Sequence, residues 1–337
     1  MQYFVVFLTV VFGTALANPM AVTSDDLKQQ NREISSQEYL KRVFQGSTVS
    51  SVGRTRDIVR KLIDLGLYQA ASIANGFDLN KIIGDSDVSS VTLCMPNDEA
   101  FEKWWQQPPQ NLDGESWKNL IKAWIVPESI KSTEIRNNQK VQSLNGAMLR
   151  FNIYPDEVVA VNGARILEED DTFANDIIQI IDKVIYPLPV GNVIETLDDN
   201  KALSIIVDLV RQADFVEQLE SDPITVLVPT NDAFNALPSG VLDDLKRDND
   251  KLRNVLGYHV VSDVRYSASL SSGQRVSTSQ GNDISITRDA ADQIFLNKQT
   301  DQSRAAKVVL RDIPTTNGVI QVIDQVLLPP QRHFVLV

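Results

Sequence analysis

The chain contains the same ordered set of sequence blocks twice, and this internal repeat constrains its fold more than any other feature. The matching pairs are TLCMPNDEAF from Thr92 with TVLVPTNDAF from Thr225, WKNLIKAWIV from Trp117 with LRNVLGYHVV from Leu252, and NDIIQIIDKVIYP from Asn175 with NGVIQVIDQVLLP from Asn317. The offsets between the copies are 133, 135 and 142 residues. Three blocks in one order predict two tandem copies of a single domain.

Each copy opens with apolar residues at the spacing of an amphipathic helix. These residues are Ile58, Val59, Leu62 and Leu65 in the first copy, and Ala202, Leu203, Ile206, Leu209 and Val210 in the second. A short apolar strand that ends in proline follows, and polar residues then suit the N-caps of helices. Thr230 and Asn231 are the candidate caps of the helix after the strand, and Ser239 is that of the next short helix. Asp198 is the candidate cap of the opening helix in the second copy.

The later half of each copy has the pattern of strands. AMLRFN from Ala147 and DISIT from Asp283 alternate between apolar and polar residues, as half-buried strands do. Asn162 and Gly163 separate two apolar runs, which predicts a tight hairpin. The closing runs IIQIID and VIQVID predict strands that are buried on both faces. Early helices and late antiparallel strands predict an α+β domain.

The ends of the chain suggest export. Residues 1–17 are an apolar run closed by the small residues Ala15 and Ala17, as is typical of a secretory signal peptide that is cleaved after Ala17. We expect a polar N-terminal extension at 18–50, a first domain at 51–189, a second domain at 190–330 and a short tail at 331–337. Because no other segment approaches the ~20 apolar residues of a membrane helix, we expect a secreted protein without a membrane span.

The acidic charge of the chain excludes one class of partner. The formal net charge is -12, and nucleic-acid binding depends on Lys and Arg side chains that displace counterions. The only local basic cluster consists of Arg54, Arg56, Arg60 and Lys61. We interpret it as the solvated face of a helix.

The repeated blocks resemble the fasciclin domain family. The resemblance lies in PNDEAF and PTNDAF, in the LRNVLGYHVV block with its Tyr-His pair, and in the closing NGVIQVIDQVLLP. It covers roughly residues 55–189 and 190–330. It implies, for each domain, a β-sandwich-like core of about seven strands with helices packed at one side. It also implies extracellular adhesion, through contacts with integrins, with collagen-rich matrix or with identical domains.

The resemblance assigns an adhesive role to the Tyr-His segment of the second copy. Tyr258 and His259 are flanked there by branched apolar residues, namely Val255, Leu256, Val260 and Val261. A structural role competes with this one, because Val255, Leu256 and His259 recur at helical spacing on an inward stripe. In that case the imidazole forms a hydrogen bond within the core. The first copy has Ala123 and Trp124 at the matching positions, which puts an adhesive role there in doubt.

Other polar residues have structural interpretations that we favour. Asn231 with Asp232, and Asp98 with Glu99 in the first copy, could indicate metal or acid-base chemistry, but helix capping accounts for them better. Cys94 takes the place of a core leucine and is expected to be a small buried hydrophobe. We expect the acidic run from Glu168 to Asp171 to be a solvated loop, with weak calcium binding as the minor alternative.

Catalysis has little support in the sequence. The chain has only two histidines, His259 and His333, and one cysteine, so a His-rich zinc site or a Cys-His pair is hard to assemble. No phosphate-binding loop or nucleophile elbow follows a predicted strand, and we expect no cofactor.

The sequence leaves three function classes open. An extracellular adhesion or matrix-associated protein, with matrix or receptor partners and self-association, accounts best for the export signal and the repeat. A soluble carrier of an apolar or glycan ligand is the second class. A hydrolase that uses carboxylates alone is the third.

Overall fold

The computed structural model describes residues 58–84, 86, 88–106, 113–297 and 305–330, apart from the side chains of Asp156, Glu168 and Glu169. The expected signal peptide, the N-terminal extension and the tail therefore lie outside the described residues. Arg54 and Arg56 of the basic cluster also lie outside them. Lys61 is described, and it forms an ion pair with Asp171 at 2.6 Å.

The first domain begins with helices and ends with strands. Its helices are α1 (Ile58–Asp64), α2 (Tyr68–Gly76), α3 (Leu79–Gly84), α4 (Asp98–Gln106) and α5 (Gly114–Ala123). Its strands are β1 (Thr92–Pro96), β2 (Ile125–Val126), β3 (Gln139–Gln142), β4 (Met148–Ile153), β5 (Val159–Val161), β6 (Ala164–Phe173) and β7 (Asp176–Ile181).

The second domain repeats this order. Its helices are α6 (Val193–Asp198), α7 (Ser204–Gln212), α8 (Val216–Leu219), α9 (Asn231–Asn235), α10 (Val241–Arg247) and α11 (Asn249–Tyr258). Its strands are β8 (Ile224–Pro229), β9 (Val260–Val261), β10 (Arg275–Ser277), β11 (Asp283–Arg288), β12 (Ile294–Leu296), β13 (Ala306–Thr315) and β14 (Gly318–Ile323).

Each domain has one seven-stranded sheet, and the two sheets have the same topology. The strand orders are β2-β1-β7-β6-β5-β4-β3 and β9-β8-β14-β13-β12-β11-β10. The closing strand of each domain pairs in parallel with the first strand and antiparallel with the long strand before it. All six residues of β7 and of β14 are buried, which confirms the predicted strand buried on both faces. The predicted fold class, two tandem α+β domains, is confirmed.

The predicted helices and hairpin are present. Ile58, Val59 and Leu62 are the buried residues of α1, so the apolar spacing did mark the inward face of the helix. The hairpin turns at Asn162 and Gly163, whose φ angles are 46° and 79°. Both residues of the turn are in the left-handed region, as a type I′ turn requires.

Three predicted caps are wrong. Asn231 is the first residue of α9 and not its cap. Asp198 is the last residue of α6, where it pairs with Arg211, because the chain breaks there between two helices. The helical segment that Asp198 was expected to cap begins with a 3₁₀ turn at 201–203, and its N-cap is Asn200, whose side chain accepts a hydrogen bond from Ala202 N. Ser239 is not a cap either, since Gly240, with a φ of 85°, takes the position before α10 and no side-chain cap bond forms there.

The acidic run was also predicted wrongly. It lies within strand β6 and not in a solvated loop. The pairing of β6 with β7 shifts register twice along this run, so the strand bulges there. A bulge lets polar residues interrupt a strand without ending it.

Gly318 is the residue at which the closing strand of the second domain pairs with Ile224 of the first strand. A Cβ atom at this position would lie 1.8 Å from the carbonyl oxygen of Ile224. That oxygen belongs to the backbone of β8, and a close-packed sheet cannot move it aside cheaply.

We predict that Gly318→Ala lowers the free energy of unfolding by more than about 2 kcal/mol, because the added methyl group must push β14 away from β8. Denaturant unfolding followed by circular dichroism measures this. Gly76→Ala, at a helical glycine with open space around it, is the matched control and should change stability by less than about 1 kcal/mol. Equal effects of the two substitutions would contradict the prediction.

Candidate functional site

The Tyr-His segment of the second domain lies in the interior. Helix α11 ends at Tyr258, His259 follows as its C-cap, and β9 begins at Val260. The six candidate residues of this segment, Val255, Leu256, Tyr258, His259, Val260 and Val261, are all buried. A receptor could touch these side chains only if the segment opened.

Both ring nitrogens of His259 have a backbone partner. Nε2 accepts a hydrogen bond from Leu327 N at 3.0 Å, and Nδ1 lies 2.8 Å from the carbonyl oxygen of Val255. Because Nε2 is an acceptor, the proton of the neutral ring belongs on Nδ1, which donates to Val255. Burial lowers the pKa of His259 to about 4, although the bond to Val255 favours the charged form. The ring therefore ties the end of α11 to the chain beyond β14.

Tyr258 makes a second tie to the same sheet. Its hydroxyl donates to the carbonyl oxygen of Asp283 at 3.2 Å and accepts from Asn297 Nδ2 at 2.9 Å. Burial raises the pKa of Tyr258, although the bond from Asn297 opposes the rise. The phenol therefore stays neutral and serves as a structural hydrogen-bonding group.

The first domain makes the equivalent tie with a different side chain. Trp124, at the repeat position of His259, donates from Nε1 to the carbonyl oxygen of Ile185 at 3.3 Å. Ile185 occupies the repeat position of Leu327. The tie thus exists in both domains, but only the one in the second domain contains a group that titrates.

A small cavity adjoins His259. Its lining is apolar apart from the imidazole and includes Leu197, Phe215 and Leu256. Its volume is about 10 Å³. That is room for no more than one water molecule, so this cavity cannot hold the ligand of a carrier protein.

The asparagine and aspartate residues after the first strand of each domain join neighbouring helices. Thr230 caps α9 through Ala233 N, as predicted. Asn231 Oδ1 accepts instead from Ile205 N in the first turn of α7. Asp98, at the same repeat position, accepts from Gln69 N in the first turn of α2.

The metal-ligating residue types and the single cysteine are the other candidates for chemistry. Within the residues described, no three or more His, Cys, Asp or Glu side chains cluster as a metal site would require. Cys94 is buried, and burial raises the pKa of its thiol to about 12, so the thiolate nucleophile is not populated near neutral pH.

Asp170, in the acidic run, has its carboxylate held by three hydrogen bonds. It accepts hydrogen bonds from Ser132 N and Oγ at 2.7 and 2.6 Å, and from Gln179 Nε2 at 2.9 Å. Burial alone would raise its pKa, but these bonds and the charge of Lys131 outweigh it, and the pKa lies below its usual value.

The two domains meet through an ionic interface that the sequence did not reveal. Asp222 of the second domain accepts from Lys140 and from Arg150 of the first, the latter at 2.7 Å. Lys183 of the first domain lies 2.7 Å from Asp312, whose side chain is only 2% exposed.

Other contacts also cross the interface. Arg165 donates to the carbonyl oxygen of Ala268 at 3.0 Å. Tyr154, Ala160 and Ala268 form a small apolar cluster. The ring of Tyr266 packs so closely on Gly163 that a Cβ at that glycine would lie 2.5 Å from it.

A cluster of aromatic rings lies on the helical side of the first domain. Trp104 has ring centroids 4.9 Å from Trp105, 5.4 Å from Trp117 and 6.2 Å from Tyr186, and Phe77 stacks on Trp117 at 6.2 Å. Trp105 is 40% exposed, and its Nε1 donates to Gln69 at 3.0 Å. The second domain has Leu237, Pro238, Leu252 and Leu328 at the positions of Trp104, Trp105, Trp117 and Tyr186.

The geometry defines a tandem-repeat protein whose two α+β domains meet through a polar interface. The fasciclin domain matches residues 66–187 and residues 201–329. The chain therefore belongs to the fasciclin domain family.

The curated relatives include much longer proteins. Human periostin is 30% identical over 281 residues, which are 81% of this chain and 32% of periostin. The pig transforming growth factor-beta-induced protein ig-h3 is 28% identical over 241 residues, which are 71% of this chain and 33% of that protein. The chain thus spans about a third of the length of these relatives.

A solved structure is also similar. It is the FAS1 domain pair from the insect cell adhesion molecule fasciclin I, with 18% identity and a TM-score of 0.38, and the match covers 80% of this chain and 97% of that one. At that TM-score the likeness carries no further conclusion. In the described part of the chain, no helix is both long enough and apolar enough to cross a membrane.

We predict that the second domain loses stability in acid through His259. The folded pKa, about 4, lies below the ordinary value of 6.5, so only the unfolded chain takes up the proton between these pH values. The contribution is complete above pH 6.5 and falls as the pH drops towards 4, by on the order of 3 kcal/mol. Denaturant unfolding of wild type and His259→Gln from pH 7 to pH 4 measures it. The difference between the two proteins should shrink in acid, and a constant difference would contradict the assignment.

We also predict that Lys183 and Asp312 are energetically coupled across the interface. In a double-mutant cycle of Lys183→Met and Asp312→Asn, the coupling should exceed about 1 kcal/mol, since removing the lysine leaves a buried carboxylate without its cation. Unfolding free energies provide the measurement. The exposed pair Lys103 and Glu99, at 2.8 Å, is the control and should couple by about 0.5 kcal/mol or less. A coupling no larger than that of the control pair would count against a built interface.

Proposed function

We propose that this protein is a secreted extracellular adhesion or matrix-associated binding protein that acts through the surfaces of its two domains and not through catalysis. Membership of the fasciclin domain family is the observation that carries the proposal. Receptor-type partners such as integrins, or matrix proteins, fit this role, and self-association is a further mode of binding.

The buried Tyr-His segment has a positioning role in this proposal. Tyr258 and His259 are both buried and both hydrogen-bonded within the domain. Exposing them would break these bonds and open the core. We therefore propose that they hold the shape of the second domain, and that the binding contacts lie elsewhere on its surface.

The aromatic cluster of the first domain is a suitable contact surface. Monomeric proteins seldom expose large aromatic side chains in groups, and such groups commonly mark sites of protein association. Trp105 is the most exposed member, and it lies beside Trp104 and Trp117. The cluster is absent from the matching positions of the second domain, so the two domains would bind differently.

A cell-attachment assay tests the proposal. Surfaces coated with the purified full-length protein should retain cells above an inert coating, or should bind extracellular matrix extract. Trp105→Ser should reduce attachment at least about threefold, because truncating an aromatic contact removes most of its binding energy. Val190→Ser, at an apolar residue that is 81% exposed in the segment between the domains, is the control and should not change attachment.

Two outcomes would contradict these statements. Attachment of wild type no greater than to the inert coating, together with no binding of matrix extract, would defeat the adhesion proposal. Equal attachment of wild type and Trp105→Ser would move the contact away from the aromatic cluster.

A further inference from the structure

Both domains contain an aspartate carboxylate that is held by the same hydrogen bonds. In the described structure, only the aspartate of the second domain forms an ion pair with the other domain. In the second domain, Asp312 accepts from Ser267 N at 2.6 Å, from Ser267 Oγ, and from Gln321 Nε2 at 2.9 Å. Asp170 receives the same three bonds from Ser132 and Gln179. The two sites match atom for atom, at the offsets that the repeat predicts.

The backbone at both sites has the same rare conformation. Asp170 and Asp312 have φ angles of 57° and 59°, and each lies where its strand shifts register against the closing strand. A residue other than glycine is uncommon in this left-handed region. Its presence in both copies shows that the fold positions this carboxylate in a defined way.

The two sites differ in what occupies them. Asp312 Oδ2 lies 2.7 Å from Lys183 of the first domain, and the Asp312 side chain is almost completely buried. Among the residues described, no lysine or arginine lies within ion-pair distance of Asp170, although the charge of the nearby Lys131 lowers its pKa; the residue is half-buried. The first domain therefore presents an oriented carboxylate where the second domain receives a lysine.

The surroundings of Asp170 keep part of the same acceptor chemistry. Glu128 and Thr133 occupy the repeat positions of Asp263 and Ala268, which contact the first domain through a side-chain oxygen and a backbone carbonyl. Glu128 and Thr133 are both exposed. We call the surface formed by Glu128, Thr133 and Asp170 the acceptor face.

Two replacements make the acceptor face different from its counterpart. Lys131 stands at the position of Tyr266, and Ser89 at that of Asp222. The acceptor face therefore lacks a carboxylate equivalent to Asp222. A partner would be held mainly at Asp170, and more weakly than the first domain holds the second.

We propose that the acceptor face binds a fasciclin domain of another chain, and that Asp170 takes a lysine side chain from it, as Asp312 takes Lys183. This inference deepens the proposed function and rests on it, since it names one surface and one kind of partner for extracellular binding. The partner must carry a lysine at the position that Lys183 occupies in the first domain.

A second copy of this chain is a poor partner of this kind. In its second domain, Arg275 and Lys307 retain the charges of Lys140 and Arg165 at the matching repeat positions. Ser285 and Gln325, however, replace Arg150 and Lys183. The lysine is thus missing from the position in the second domain that matches Lys183, so we infer that a different chain supplies it.

The proposal can be tested with a full-length variant in which the second domain regains the two basic side chains that the first domain has at the matching positions. The variant Ser285→Arg with Gln325→Lys should associate head to tail, with its second domain on the acceptor face of the next copy. Sedimentation at up to about 100 µM measures this, since micromolar contacts are populated at that concentration. Wild type should associate at least about tenfold more weakly, because it lacks the donor charges.

Substitutions on the acceptor face locate the contact. In the donor-restored chain, Asp170→Asn should raise the dissociation constant at least about tenfold, and Thr133→Arg should do the same by charge repulsion without touching the bonds of Asp170. Asp171→Asn, which removes the neighbouring carboxylate that pairs with Lys61, is the matched control and should have little effect. Thermal melting verifies that each variant is folded.

The outcomes are separable from those of the adhesion assay, because only purified protein is present. Association that depends on Asp170 and on Thr133 supports the acceptor face. A donor-restored chain that stays monomeric, or that associates equally well with Asp170→Asn and Thr133→Arg, would overturn it whatever the cells do.

Discussion

The pairing of each closing strand with the long bulged strand beside it is the constraint on which the rest of the structure depends. Strand β14 is buried on both faces between β8 and β13, and β7 is placed in the same way. Gln179 and Gln321, on the closing strands, bond to the backbone and the carboxylate of the bulge residues Asp170 and Asp312. In each domain the buried glutamine side chain is hydrogen-bonded to the bulge residue and so fixes the conformation of the bulge. The bulge in turn sets the direction of the aspartate carboxylate.

This arrangement explains why the contacts between the domains are polar. Asp312 is buried and needs a cation, and Lys183 of the first domain supplies it. At a second point of the interface, Asp222 forms ion pairs with Lys140 and Arg150. Removing one partner of a buried pair such as Lys183 and Asp312 costs more than the pair contributes, so this contact favours one geometry more than it adds stability. A pair of domains with one fixed geometry can present a single continuous surface to a partner outside the cell.

The sequence predicted the helices and strands better than the contacts that their side chains make. The repeat, the helical spacing of Ile58 and Leu62, and the apolar closing strands were predicted because each is visible as a pattern along the sequence. The acidic run was predicted to be a loop because four consecutive acidic residues do not have the pattern of a strand. The carboxylate of Asp170 is accommodated within the strand because Ser132 and Gln179 donate hydrogen bonds to it, and neither partner is adjacent to it in the sequence. The domain interface was missed because its residues differ between the copies. The sequence nevertheless contained an indication of the interface. In the alignment of the two repeats, the basic residues Arg150 and Lys183 correspond to the uncharged residues Ser285 and Gln325.

Amide hydrogen exchange of the wild-type chain tests the central claim, that the first domain covers the Asp312 side of the second domain, whereas no described residue of the second domain bonds to Asp170 on the matching side of the first. The segments to compare are 264–269 and 129–134, which are equivalent in the repeat and carry Ser267 and Ser132. The account predicts that amides of 264–269 exchange at least about tenfold more slowly than those of 129–134, because only the former lie beneath the other domain. Equal exchange in the two segments would contradict it.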